Sequence, residues 1–296
     1  MTEKIENEPV PETFLRVLGR PYLRATALRC IANIFRKFFI QQSMAAFLPG
    51  RIPVSIADHP LDKKIPFLPG KINIYIDFVA FWVRTLGFLL RNYGRKVFEP
   101  VRYFMETMGG LYSFAAEVYS KNLSTTDRPF YIGRPRFLLI HAADPHLMCI
   151  PSLHVMVVIR THTFFRDFFK TLEADERLAP QAEELRRGAL AITEAVLYVK
   201  QHSVNCIPAA MYAMTCFDPK LFPPDEAERF AKDIFRNVKV PAEKDGEEIR
   251  SHIISLYNRF CAERAASLEQ TGTAEKIDKA SWKEPLLNFL GTMPRQ

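Results

Sequence analysis

The run INIYIDFVAFWVRTLGFLL, residues 72–90, constrains the fold more than any other part of the chain. A membrane-spanning helix needs roughly 18 or more apolar residues with few charges. This run carries Asp77 and Arg84, so it fits a long buried helix over 72–93 that ends near Gly94. Two other apolar stretches fall short of a clean span. Residues 202–217 are uncharged but include Asn, Pro and small polar side chains, and 38–49 is short. The mean hydropathy of −0.07 is that of a water-soluble protein. With 24 Phe against 12 Gly and 48% hydrophobic residues, the composition favours helices packed through large side chains.

The expected class is mainly α, a helical bundle with a C-terminal helical extension. Residues 1–71 read as an N-terminal segment: a disordered acidic lead over 1–11, a basic amphipathic helix over about 12–47, and a loop with Pro49, Pro53, Pro60, Pro66 and Pro69. The helix sets Arg24, Arg29, Arg36 and Lys37 opposite Leu28, Ile31, Ile34, Phe35 and Phe38, a pattern that suits a packed helix with a solvated face or an anionic membrane surface. Residues 72–217 read as the core, with helices over 72–93, about 97–120, Ser152 to Leu172, and about 181–206. Gly109 and Gly110 lie inside the second of these and point to a close helix approach or a kink. Residues 218–296 read as a charged helical extension with periodicity over 224–237 and 246–268 and a weakly ordered tail from about 269.

A net charge of +7 suits a phosphorylated substrate or anionic lipid, and without a Lys/Arg block no nucleic-acid partner is expected. Five cysteines without a C-x-x-C pair argue against a disulfide framework or structural zinc. The N-terminus lacks an apolar signal region, so a cytoplasmic site, or membrane association from the cytoplasmic side, is expected, with an integral protein left open.

Three segments place polar groups where helices begin or break. KNLSTTDRP sets Lys121 seven residues before Arg128, two cations able to converge on an anion. IPSLHV puts Ser152 and His154 at a helix start, where free N–H groups and the dipole favour phosphate. Equally, Pro-Ser starts many helices, and His154 fits a satisfied core histidine. KQHSVNCIPAA puts His202 and Cys206 four apart in an apolar run, on one helical face.

Taken in order, Lys-x6-Arg-Pro, Pro-Ser-x-His and a later His resemble the type 2 phosphatidic acid phosphatase superfamily, which includes lipid phosphate phosphatases and vanadium haloperoxidases. PSLHV followed by KQH is most similar to the branch holding inositol phosphorylceramide synthases. The resemblance covers about 97–217 and implies a helical bundle that cleaves or transfers a phosphate ester without a metal or other cofactor. It assigns Lys121, Arg128 and Ser152 to the phosphate oxygens, His154 to the leaving group and His202 to the nucleophile, which becomes a phosphohistidine. The remaining histidines, 59, 141, 146, 162 and 252, form no convincing ligand set.

Two positions depart from the family pattern. Ala195-Val196 stands where Ser-Arg is expected, and Lys200 or Arg134 is available to replace the missing cation. Cys206 stands where an Asp would hold the imidazole in its attacking tautomer. Cys206 itself, Asn205 and Glu194 are the substitutes within reach. Two readings follow: a phosphohydrolase or phosphotransferase of a lipid or small phosphate, or a degraded site in a fold that binds phosphate, lipid or a membrane surface.

Overall fold

Prolines mark where many of the helices begin, because the first helical turn has no use for their missing N–H. The computed structural model describes residues 4–48, 50–173, 177–271 and 282–296. Helices α1 (Val10–Leu18), α2 (Pro21–Ile34), α7 (Pro135–Ala143), α9 (Ala179–Tyr198) and α11 (Pro224–Asp233) all carry Pro in the first turn. The fold is mainly α. Its further helices are α3 (Gln41–Phe47), α4 (Ile72–Tyr75), α5 (Phe78–Tyr93), α6 (Phe98–Tyr119), α8 (Leu153–Leu172), α10 (Cys206–Phe217), α12 (Glu243–Thr271) and α13 (Glu284–Gly291). A two-stranded parallel sheet pairs β1 (Val54–Ile56) with β2 (Leu123–Thr125).

Helix α8 is the axis, packed on α9, α10, α6 and α5. Its residues Val155 to Ile159 are fully buried. One hydrophobic core runs from Ile5 to Leu290, so the N-terminal and C-terminal segments share it with residues 72–217. The close approach expected at Gly109 occurs: a Cβ there would lie 3.6 Å from Cys30 Cα of α2.

Several expectations change. Residues 4–11 are ordered, with Ile5 buried and the Ile5 and Glu6 amides donating to Glu184. The helix expected over 12–47 is interrupted after Leu18 and passes through a π-helical turn at Phe35–Ile40 before α3. Leu23, Ala27 and Cys30 form its buried face, whereas Leu28, Ile31 and Phe35 are exposed beside the arginines. The helix over 72–93 breaks between α4 and α5, where Asp77 accepts from Arg84. In the tail, 272–281 lies outside the described residues. Trp282 stacks on Phe114 with centroids 3.7 Å apart, and Ile56 N donates to Pro294 O at 2.8 Å.

By length and composition, the helical run Pro69–Tyr119 holds one 18-residue window apolar enough to cross a membrane, and 56% of that window is buried inside the protein.

Candidate functional site

The sheet positions the start of α8. Ser124 N donates to Leu147 O, Cys149 N to Ser124 O, and Ile150 N to Ser124 Oγ at 2.7 Å. Tyr119 of α6 donates its hydroxyl to Pro151 O. Held on both sides, the chain delivers Ser152 as the N-cap residue of α8. The Ser152 side chain caps no backbone amide. Its Oγ lies 3.2 Å from His202 Nε2.

His202 arrives from a turn, contrary to the helix expected over 181–206. Helix α9 stops at Tyr198, Lys200 takes a left-handed backbone with φ of 57°, and α10 begins only at Cys206. The amides of Gln201 and His202 both donate to Val196 O, at 3.1 and 3.2 Å. This reversal turns His202 inward, and its Nε2 lies 3.3 Å from His154 Nδ1. His154 is itself stacked on Tyr75 at 4.5 Å and packed on Phe78 at 4.2 Å.

Arg128 lines no part of the cavity at the histidines, but from the loop after β2 it donates to two residues that do, to Gln201 Oε1 at 3.3 Å and to Asp144 O at 3.1 Å. Lys121 does not join it. Its side chain is exposed and lines no part of the cavity at the histidines. The two lie on opposite sides of β2, Lys121 two residues before it and Arg128 three residues after it.

Neither the three expected substitutes for the missing Asp, Cys206, Asn205 and Glu194, nor Lys200, offered for the missing cation, hydrogen-bonds His202. The Lys200 ammonium donates to Asp62 O and Ile65 O. Asn205 donates to Ala57 O and pairs through Oδ1 with His252 Nε2 at 2.8 Å. Glu194 accepts from Phe235 N at 2.8 Å. Cys206 is fully buried, and burial holds its thiol well above the usual range, so no thiolate forms there. Arg134, the other available cation, is exposed. Among the described residues His202 Nδ1 is buried without a hydrogen bond.

Residues that the motif reading passed over also line the site. His146, with φ of 61°, donates its amide to Asp144 Oδ1 and pairs through Nε2 with Thr126 at 2.7 Å. Gln42 of α3 donates to the same Asp144 oxygen. The only signal for Asp144 and His146 is the segment HAADPH, 141–146, a few residues before the apolar helix α8, and nothing near Gln42 marks it. Phe38, Gln42, Asp144, His146, His154 and His202 border a cavity of about 20 Å³. That is room for about one water molecule.

Electrostatically the site is a set of neutral imidazoles. Burial pushes His202 down to about 3, helped by His146 and opposed by the Cys149 carbonyl. Burial and then His202 push His154 to about 3, opposed by Asp144. His146 falls to about 3 through burial and then Arg128. Desolvation dominates in each because no carboxylate hydrogen-bonds these rings.

The chain matches no family model, no curated protein and no solved structure. Whatever the site does must therefore be argued from its own geometry. It offers two neutral histidines and a serine hydroxyl that meet at His202 Nε2, with the Arg128 guanidinium bonded to Gln201 and Asp144 at the edge of the group.

Proposed function

We propose that the chain is a phosphate-ester phosphohydrolase or phosphotransferase that works through a phosphohistidine at His202, with a phosphorylated lipid or small molecule as substrate. The observation that carries this reading is His202 Nε2 within 3.3 Å of both Ser152 Oγ and His154 Nδ1, which come from a separate element. His202 Nε2 attacks phosphorus and forms the N–P bond as the bond to the leaving oxygen breaks. His154 protonates that oxygen, and Arg128 with the Ser152 hydroxyl offsets charge on the equatorial oxygens. Water or an acceptor alcohol then takes the phosphoryl group. A dianion beside His154 raises its pKa from the depressed resting value, so the acid forms as substrate binds. The cavity holds about one water molecule, so its walls must part to admit the phosphate.

One observation favours the second reading, a site that binds phosphate but turns over slowly or not at all. With no carboxylate bonded to Nδ1, the His202 ring gains little by keeping its proton there. On Nε2 the proton bonds Ser152 or His154 and blocks attack. An orienting carboxylate is worth up to about 10⁴ in rate in serine proteases.

Orthovanadate binding and turnover on phosphatidate and a chromogenic phosphate separate the two. Turnover that disappears in His202→Ala and in His154→Ala supports the enzyme. Vanadate bound with no turnover supports the binding site. Absence of both refutes the phosphate assignment. Membrane association from the cytoplasmic side belongs to the same proposal, supported by the arginines and exposed apolar residues of α2.

A further inference from the structure

A second cavity lies on the other side of α3 from the histidines. It is a groove of about 840 Å³ between the π-helical turn, α3 and the edge of β1. That volume falls within the roughly 300–1,000 Å³ of small-molecule sites. Ile40, Met44, Leu48 and Ile52 supply apolar walls, and Leu123 and Leu147 close the inner end. Ile40, Met44 and Leu48 are each at least 39% exposed, an unusual cost for neighbouring large apolar side chains.

The polar groups of the groove are one-sided. Its charged side chains are Arg36, Lys37 and Arg51, with no Asp or Glu, and the last residue, Gln296, lies at the β1 edge. Among the described residues none of these three cations makes an ion pair, although most other arginines in the helices have a carboxylate within reach. An apolar trough with unneutralised cations along it matches a ligand that has one acyl chain and one anionic head. A neutral lipid leaves the charges unused, and a soluble anion leaves the apolar wall wet.

We infer that this groove is a binding site for a single-chain anionic amphiphile, its acyl chain along Ile40, Met44, Leu48 and Ile52 and its head group on Arg36, Lys37 and Arg51. The inference does not depend on the phosphate chemistry assigned to His202. A carboxylate head, as in a free fatty acid, and a phosphate head, as in a lysophospholipid, share the required chemistry. Arg binds either through paired N–H bonds.

The test is calorimetric titration of the full chain with oleate, with lysophosphatidate and with neutral monooleoylglycerol, each below its critical micelle concentration. One anionic molecule should bind per chain, at least tenfold more tightly than the neutral one. Tighter oleate binding identifies a carboxylate ligand, and tighter lysophosphatidate binding a phosphate ligand. Met44→Trp fills the groove and should weaken binding at least tenfold. The surface change Arg51→Glu should erase most of the preference for the anionic head, and because Arg51 is exposed this variant keeps the fold. Circular dichroism on both variants checks folding. Equal affinity for the neutral lipid, unchanged affinity in folded Met44→Trp, unchanged preference in Arg51→Glu, or binding only to vesicles of anionic phospholipid would each overturn the inference.

Discussion

His202 and His146 are 7% and 5% exposed, and each is held near 3 by burial. An unfolded histidine titrates near 6.5, so between about 3 and 6.5 the unfolded chain binds more protons than the folded one. Stability is therefore fully present above 6.5 and falls as the pH drops through that window. Each such group contributes a slope of up to about 1.4 kcal/mol per pH unit. Urea unfolding at pH 7 and pH 5 should show a loss of a few kcal/mol, and His146→Gln should flatten the dependence. A pH-independent midpoint would mean that these rings are wetter than the packing implies. The site's cation has an equally specific role. Arg128 spans the Gln201 side chain and the Asp144 carbonyl with two different nitrogens. Lysine has three donors on one nitrogen but lacks the planar fork that spaces these two bonds. Arg128→Lys should weaken orthovanadate binding about tenfold or more while the melting temperature moves little.

The helices meet through a few tight contacts. In α5, a Cβ at Gly87 would sit 2.1 Å from Thr13 Oγ1 of α1, and Thr13 is itself buried and bonded to Pro9 O. Alanine would gain up to about 1 kcal/mol of helix propensity. Overpacking costs roughly 1–3 kcal/mol. The clash prevails, so Gly87→Ala should destabilise by about 1–2 kcal/mol in a urea titration. Arg160 of α8 is the other constraint. It is 1% exposed, and it donates to Asp218 Oδ2 at 2.6 Å past the end of α10 and to Thr107 of α6 at 3.0 Å. The pair has no obvious advantage over apolar packing, but breaking it leaves a buried charge, at about 3–5 kcal/mol. Asp218→Ala should therefore cost much more than an ordinary half-buried substitution, and Asp218→Glu should recover part of the loss.

At the scale of the whole molecule, the C-terminal segment closes the bundle. Trp282, Leu286 and Leu290 are at most 2% exposed, and residues 294–296 bond to the outer edge of β1. Burial of such side chains contributes about 1.5–3 kcal/mol each. Three of them approach the roughly 5–15 kcal/mol of total stability expected for a domain. A chain ending at 281 should thus lose cooperative thermal unfolding, read by circular dichroism, and expose apolar surface to a hydrophobic dye. A cooperative transition within a few degrees of the full chain would show that the segment is an appendage.

The helical class followed from chemistry that acts locally: abundant Phe, scarce Gly, and apolar residues at helical spacing. The start of α8 at Pro151-Ser152 was legible for the same reason, because caps and first-turn prolines act on the nearest few amides. Helix spacing also placed His154 and His202 in apolar surroundings. What surrounds each ring was decided elsewhere. Cys206, Asn205, Glu194 and Lys200 lie near His202 in sequence, yet their partners are Ser203, Ala57, His252, Phe235, Asp62 and Ile65. The left-handed backbone at Lys200 ended the helix that would have aligned Cys206 with the imidazole. Asp144 and His146 are tied by a local turn bond, but Gln42 and Thr126 reach them from elsewhere in the chain, which no local spacing specifies. Periodicity fixes which face of a helix is apolar. Only tertiary packing fixes what that face meets, and so it alone left His202 Nδ1 without a carboxylate and the cations of the α3 groove without an acidic side chain.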